Sequence, residues 1–101
     1  RHGAKFHVTL FDPKAGGMTA ILEADYLGQV RTGAASGIAT KKLARADATT
    51  VGLYGTGKQA RTQLLAVCTV RKITKIHVYS RDAAKRRAFA EEMTPLCGVE
   101  V

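Results

Sequence analysis

The sequence has no tryptophan, two cysteines, two prolines and eight acidic residues among 101, and its aromatics, three Phe and three Tyr, make up 6%. Each shortage excludes something. Cys68 and Cys97 are too few and too far apart for a disulfide scaffold or a Cys-x-x-Cys metal site. No apolar run reaches the ~18–20 residues of a membrane-spanning helix, and no signal-peptide pattern opens the chain. His2, His7 and His77 show no ligand spacing, and neither a nucleophile elbow nor a metal cluster is visible. The scarcity of acids leaves a formal charge of +8, from sixteen Lys+Arg against eight Asp+Glu. A nucleic-acid groove would interleave such charge with exposed aromatics. Only Tyr79 and Phe89 lie near the densest basic run, where a strand and a helix would need them as core. Arg71, Lys72, Lys75 and Lys85-Arg86-Arg87 therefore read as solvated helix ends. A cytoplasmic globular protein with neither a membrane nor a nucleic-acid partner is expected.

What is present is strongly patterned. Residues 4–11 alternate, with Phe6, Val8 and Leu10 on one face, as a half-buried strand does. Asp12-Pro13-Lys14-Ala15-Gly16-Gly17 supplies a turn, and residues 18–23 a second strand, predicting an antiparallel hairpin. Residues 25–45 have helical spacing: Leu27, Val30, Ala34 and Ile38 form one apolar stripe, and Ala35, Ala39 and Leu43 continue a neighbouring one. Gly33 and Gly37 interrupt this helix, each at a cost of roughly 1 kcal/mol against Ala. Either a ligand or another helix must approach them closely.

Residues 48–54 form a short β-prone run followed at once by Gly55-Thr56-Gly57-Lys58-Gln59-Ala60. An amphipathic helix with Ala60, Leu64, Val67 and Cys68 on one face runs to about Lys72. A strand over 73–80 follows, then a helix from Ala83 to Met93 that Asp82 caps and Thr94-Pro95 stops, with Ala88, Phe89 and Met93 facing inward. Gly98-Val99-Glu100-Val101 reads as a third strand cut off as it begins. Strand–helix–strand–helix–strand is the first half of a doubly wound, parallel α/β sheet.

Gly55-x-Gly57-x-x-Ala60 in that setting is a dinucleotide fingerprint. Gly55 allows the tight turn, Gly57 lets a pyrophosphate meet backbone, and Ala60 keeps the helix close to the sheet. A rival frame overlaps it. Gly52 to Lys58 matches seven positions of a P-loop, but Gln59 stands where a Mg²⁺-binding hydroxyl is needed. At the end of the next strand, Ser80-Arg81 suits the 2′-phosphate of NADP, while Asp82 leaves NAD open or simply caps the following helix.

These residues together resemble the ornithine cyclodeaminase/mu-crystallin family. The blocks that carry the likeness are Leu27-Gly28-Gln29-Val30-Arg31-Thr32-Gly33-Ala34-Ala35-Ser36-Gly37 and Val51-Gly52-Leu53-Tyr54-Gly55-Thr56-Gly57-Lys58-Gln59-Ala60-Arg61. The hairpin and Ser80-Arg81 extend it over nearly the whole chain. The resemblance implies residues 1–46 as the end of a substrate and dimerisation domain, and 47–101 as the first half of a Rossmann domain. The chain, which begins at Arg1, is accordingly expected to be a piece of a longer, homodimeric protein.

By the same resemblance, Arg31 faces the substrate carboxylate, Thr32 lies near the cofactor phosphates, and Ser80 and Arg81 hold the 2′-phosphate of NADP. The small, hydroxyl-lined face of the first helix would abut the dinucleotide. The implied chemistry is hydride transfer at the α-carbon of an amino acid or imine, with cyclodeamination of ornithine foremost. Alanine dehydrogenase, ketimine reductase and a mu-crystallin-like ligand-binding protein are the alternatives. The family's catalytic Lys and Asp fall upstream and downstream of the matching region. Lys5 and Asp82 do not occupy those positions, so no catalytic residue is assigned and a chain of these residues alone is expected to be inactive.

Overall fold

The computed structural model describes residues 5–101; His2 and Ala4 lie outside them. The alternating segment forms β1 (His7–Phe11) and pairs antiparallel with β2 (Met18–Glu23), His7 opposite Glu23 and Leu10 opposite Ala20. The turn forms because the Asp12 carboxylate accepts the N–H groups of Lys14 and Ala15, at 2.7 and 3.3 Å. The hairpin is as expected, but its apolar residues are not covered. Phe6, Leu10, Phe11, Met18 and Ile21 are all exposed among the described residues, since no element packs on this two-stranded sheet.

Helix α1 (Asp25–Leu43) follows directly, rooted by two bonds to the hairpin: the Phe6 N–H donates to Asp25 Oδ1 at 2.7 Å, and the Ala24 N–H to the Phe6 carbonyl at 2.8 Å. Its buried residues are Gly33 and Gly37, not the Leu27-Val30-Ile38 stripe, which lies open. The reason is close packing against α2 (Lys58–Val70). A Cβ on Gly33 would sit 2.4 Å from the Thr62 carbonyl oxygen, and one on Gly37 would sit 3.1 Å from the Ala66 Cβ. Of the two approaches left open by the sequence, the glycines serve helix–helix contact.

The second sheet pairs β3 (Thr50–Tyr54) parallel with β4 (Lys75–Tyr79), with α2 as the crossover. Leu64, Ile73, Ile76, Phe89 and Met93 form the core on one face of this sheet, with Val51, Leu53, Val78 and Cys68 packed around them. Burial beside Cys97 pushes the Cys68 thiol up to about 12. The opposite face carries His77, Tyr54 and Tyr79, the two tyrosine rings 5.8 Å apart and tilted. Tyr79 is thus an exposed residue rather than a core one, because its strand position alternates away from the helices.

Helix α3 (Ala83–Cys97) starts at Asp82, whose carboxylate accepts the Lys85 N–H at 3.1 Å. It continues past Pro95, where a stop was expected. Near a helix end the ring forfeits one hydrogen bond, while Met93 and Cys97, four residues apart, stay packed on the core. Gly98, in the left-handed region at φ 66°, ends the helix instead. Ala88 is exposed; Phe89 and Met93 are the inward residues. Residues 98–101 form no strand. The Val101 N–H donates to Thr94 Oγ1 at 3.2 Å rather than to a ladder, and Val99 and Val101 rest against the core.

The basic run is also less solvated than its sequence implies. Arg71, just after α2, donates to the carbonyls of Lys41, Ala44 and Arg45 at 3.1, 3.0 and 3.3 Å. Arg86 donates to the Ser80 carbonyl. Lys72, Lys75, Lys85 and Arg87 are exposed as expected.

Candidate functional site

β3 runs unbroken through Gly52, which pairs with His77, so the turn begins at Gly55 and the P-loop frame is not the one the backbone adopts. Gly55 has φ 101°, a conformation that excludes most side chains, and its N–H donates to the Tyr79 carbonyl at 2.7 Å. That bond ties the turn to the end of β4. Gly57, in extended conformation, precedes α2, whose N-terminus has no side-chain cap and no acidic residue in its first turn. A Cβ at Gly55 or Gly57 would meet nothing within 4 Å, so open space lies over the turn. The unpaired N–H groups and positive dipole end of α2 are left facing that space, an arrangement suited to a pyrophosphate.

A cavity of about 460 Å³ opens beside this N-terminus. Gly28, Gln29 and Thr32 of α1 form one wall and Lys58 and Gln59 of α2 the other, with Phe6 and Asp25 closing it at the hairpin root. Thr62, buried under the cavity wall, joins the two helices: its hydroxyl lies 2.8 Å from the Gln29 carbonyl and 3.2 Å from that of Gln59. Thr32 Oγ1 donates to the Gly28 carbonyl at 2.9 Å, so to serve an anion in the cavity the hydroxyl would turn from that carbonyl and donate to the ligand.

The sequence-assigned residues fall into three groups. Gly55, Thr56, Gly57, Lys58 and Gln59 form the turn and the first turn of α2, Ala60 packs half-buried against the core, and Thr32 stands across the cavity. Ser80 and Arg81 lie at the end of β4, next to the Tyr79 carbonyl that holds Gly55. Arg31 is exposed on α1 and does not line the cavity. The expectation that the whole small, hydroxyl-bearing face of α1 lines the dinucleotide site is corrected. Thr32 lines the cavity, whereas Gly33 and Gly37 are buried against α2 and Ser36 donates to Gln63 Oε1 at 3.1 Å.

Asp82 is the cap of α3, and the Lys85 N–H it accepts holds its carboxyl below the usual carboxylate range. Gly28, Gln29, Asp25 and Phe6 were not singled out as site residues. Their signal in the sequence is only adjacency to the Arg31-Thr32 block, and a fold is needed to bring Phe6 to the same cavity as Lys58.

A profile of the ornithine cyclodeaminase/mu-crystallin family matches residues 3–101. A Delta(1)-pyrroline-2-carboxylate reductase of Bacillus cereus is 48% identical over 84 residues, covering 83% of this chain and 26% of that protein. Among solved structures, the Thermococcus litoralis Delta(1)-pyrroline-2-carboxylate reductase in complex with NADH and L-proline superimposes with a TM-score of 0.90 at 49% identity. The match covers 93% of this chain and 29% of that one. A lysine cyclodeaminase, described for recognition of L-lysine, L-ornithine and L-2,4-diaminobutyric acid, superimposes with a TM-score of 0.86 at 41% identity, over 94% and 27% of the two chains. The chain thus spans a little over a quarter of the length of the relatives it matches.

Proposed function

Because the chain belongs to the ornithine cyclodeaminase/mu-crystallin family, we propose that it is the cofactor-binding part of an NAD(P)-dependent enzyme acting at the α-carbon of a small amino or imino acid. One observation carries this reading: the uncapped N-terminus of α2, entered through a glycine turn, opens on a cavity whose far wall carries Thr32. The backbone N–H groups of Gly57, Lys58 and Gln59 would hold the pyrophosphate, with Thr32 as a second polar contact. Ser80 and Arg81, beside Gly55, are where a 2′-phosphate would be met, and on that ground NADP is the preferred cofactor. Arg31 has no described partner and would serve the substrate carboxylate from the next position on α1. The nicotinamide supplies the hydride chemistry; the residues of this chain bind it, orient it and exclude water.

Within that class, reduction of a cyclic imine carboxylate takes precedence over cyclodeamination of ornithine. The reductases share 48% and 49% identity with this chain and the lysine cyclodeaminase 41%. Residues 1–46 are assigned to a substrate and dimerisation domain and 47–101 to the Rossmann domain of a homodimer. The cytoplasm, where thiols such as Cys68 and Cys97 stay reduced, is the compartment proposed. The test is a parallel assay of the full-length protein. Oxidation of NADPH and NADH is followed with pyrroline-2-carboxylate, and ammonia release with L-ornithine. Imine-dependent oxidation of NADPH faster than of NADH is the expected result. Ammonia release without it would replace reductase by cyclodeaminase; turnover of neither would leave alanine dehydrogenase, tested by NAD(P)⁺ reduction with L-alanine, and, failing that, a binding protein.

A further inference from the structure

Arg61 makes an unusual set of bonds for a residue that sequence leaves as ordinary helix surface. Its Nε donates to both carboxylate oxygens of Glu92 on α3, at 2.7 and 2.9 Å, and Nη2 reaches Glu92 as well. Its other terminal nitrogen, Nη1, donates to the carbonyls of Thr56 and Gly57 at 3.2 and 3.1 Å. The guanidinium carbon lies 5.3 Å from the ring centroid of the buried Phe89. Three parts of the chain therefore fix this group: α2, which carries it; α3, through Glu92 and Phe89; and the glycine turn, through the Thr56 and Gly57 carbonyls.

The consequence lies in peptide geometry. A trans peptide is planar, with its C=O and N–H pointing in opposite directions. The Thr56 carbonyl shares a unit with the Gly57 N–H, and the Gly57 carbonyl shares one with the Lys58 N–H. With both carbonyls directed to Arg61, both N–H groups point away from it; the Gly57 carbonyl also accepts the Ala60 N–H at 3.1 Å, whereas Arg61 is the donor to the Thr56 carbonyl. We infer that Arg61, anchored by Glu92, is a positioning residue that presets the backbone donors of the fingerprint turn for the pyrophosphate. It rests on the dinucleotide reading of this site. Arg61 touches no cofactor atom in this role; its effect passes through two peptide units.

Lysine at this position keeps the charge but lacks the planar fork needed to hold Glu92 and two carbonyls together. The experiment compares NADPH with 2′-AMP, which carries the adenosine and the 2′-phosphate but no pyrophosphate, by titration calorimetry on the full-length protein. Arg61→Lys should weaken NADPH about tenfold, the scale of one well-placed charge-assisted hydrogen bond, and leave 2′-AMP within twofold, a threshold of about 0.4 kcal/mol. Glu92→Gln, which loosens the anchor without touching the turn, should weaken NADPH less, again sparing 2′-AMP.

Equal affinity of wild type and Arg61→Lys for NADPH would overturn the positioning role while leaving the site intact. Parallel loss of both ligands, accompanied by a lower Tm, would make Arg61 a merely structural tie and overturn it too. Failure of the wild type to bind NADPH or NADH would instead remove the dinucleotide reading, and the positioning role with it.

Discussion

A methyl group added at Gly33 and one added at Gly28 should move stability in opposite directions, although both lie on the same helix. Alanine normally gains up to about 1 kcal/mol over glycine inside a helix. At Gly28 nothing stands within 4 Å of the new Cβ, so Gly28→Ala should show that gain. At Gly33 the new atom lies 2.4 and 2.6 Å from the carbonyl oxygen and carbon of Thr62. Those are backbone atoms of a packed helix and cannot swing aside, so Gly33→Ala should destabilise by about 2–3 kcal/mol, an overpacking penalty. Urea midpoints of the two variants provide the measurement, and a stabilised Gly33→Ala would contradict the close packing of α1 on α2. The sequence marks Gly33, with Gly37, as costly in a helix and does not single out Gly28. It could not say that Gly33 faces a helix and Gly28 a cavity, because that difference comes from an element thirty residues away.

Elements are held here by side chains that finish the backbone of their neighbours. The last carbonyls of α1 have no intrahelical donors, and Arg71, just past the far end of α2, supplies them from another segment. Its positive charge also lies at the negative end of the α1 dipole. Arg71→Met keeps the aliphatic stem while deleting every donor, and should cost about 1–2 kcal/mol for a partly exposed group. Arg71→Lys should recover part of that, since an ammonium reaches fewer of the three carbonyls. Denaturant melts monitored by far-UV circular dichroism would read the series, and equal stability of Met and wild type would reduce Arg71 to solvated surface.

That reading as solvated surface was the natural one from a basic run, and its failure has a definite cause. Strands β1 to β4 and the three helices follow from period, glycine turns and the Asp82 cap, which are local signals. So does the fingerprint turn, whose residues are contiguous. Arg71 reaching Lys41, or Arg61 reaching Glu92, spans about thirty residues and leaves no periodic trace. The extent of α3 escapes the sequence for the same reason. Proline is a local stop signal, and the packing of Cys97 on the core that outweighs it is not local. The place of Thr32 at the proposed cofactor site rests on family resemblance, since spacing alone allows either a ligand or a helix against α1.

At the scale of the whole molecule, the chain is drawn out rather than compact. Its radius of gyration is 16.8 Å, where a compact chain of this length has about 13 Å. The cause is the division of labour among its parts: the buried core lies under β3 and β4, while the hairpin extends away from it with both faces largely exposed. A two-stranded hairpin has little stability of its own, and this one is fastened at its root by the bonds among Phe6, Ala24 and Asp25. Amide exchange should therefore be fast over β1 and β2 and slow over α2, whose Leu64 is buried in the core. Ligand binding should alter that order in one place. Phe6 and Lys58 line the same cavity from opposite parts of the molecule, so a dinucleotide seated on α2 would also cover the hairpin root. With saturating NADPH, the Phe6 and Asp25 amides should slow together with those of Gly57 and Lys58, while the hairpin turn at Lys14 and Ala15 keeps its rate. Protection confined to the glycine turn would place the ligand outside the cavity and separate the anion site from the α1 wall. Protection spread evenly over the hairpin would point instead to global stabilisation by mass action.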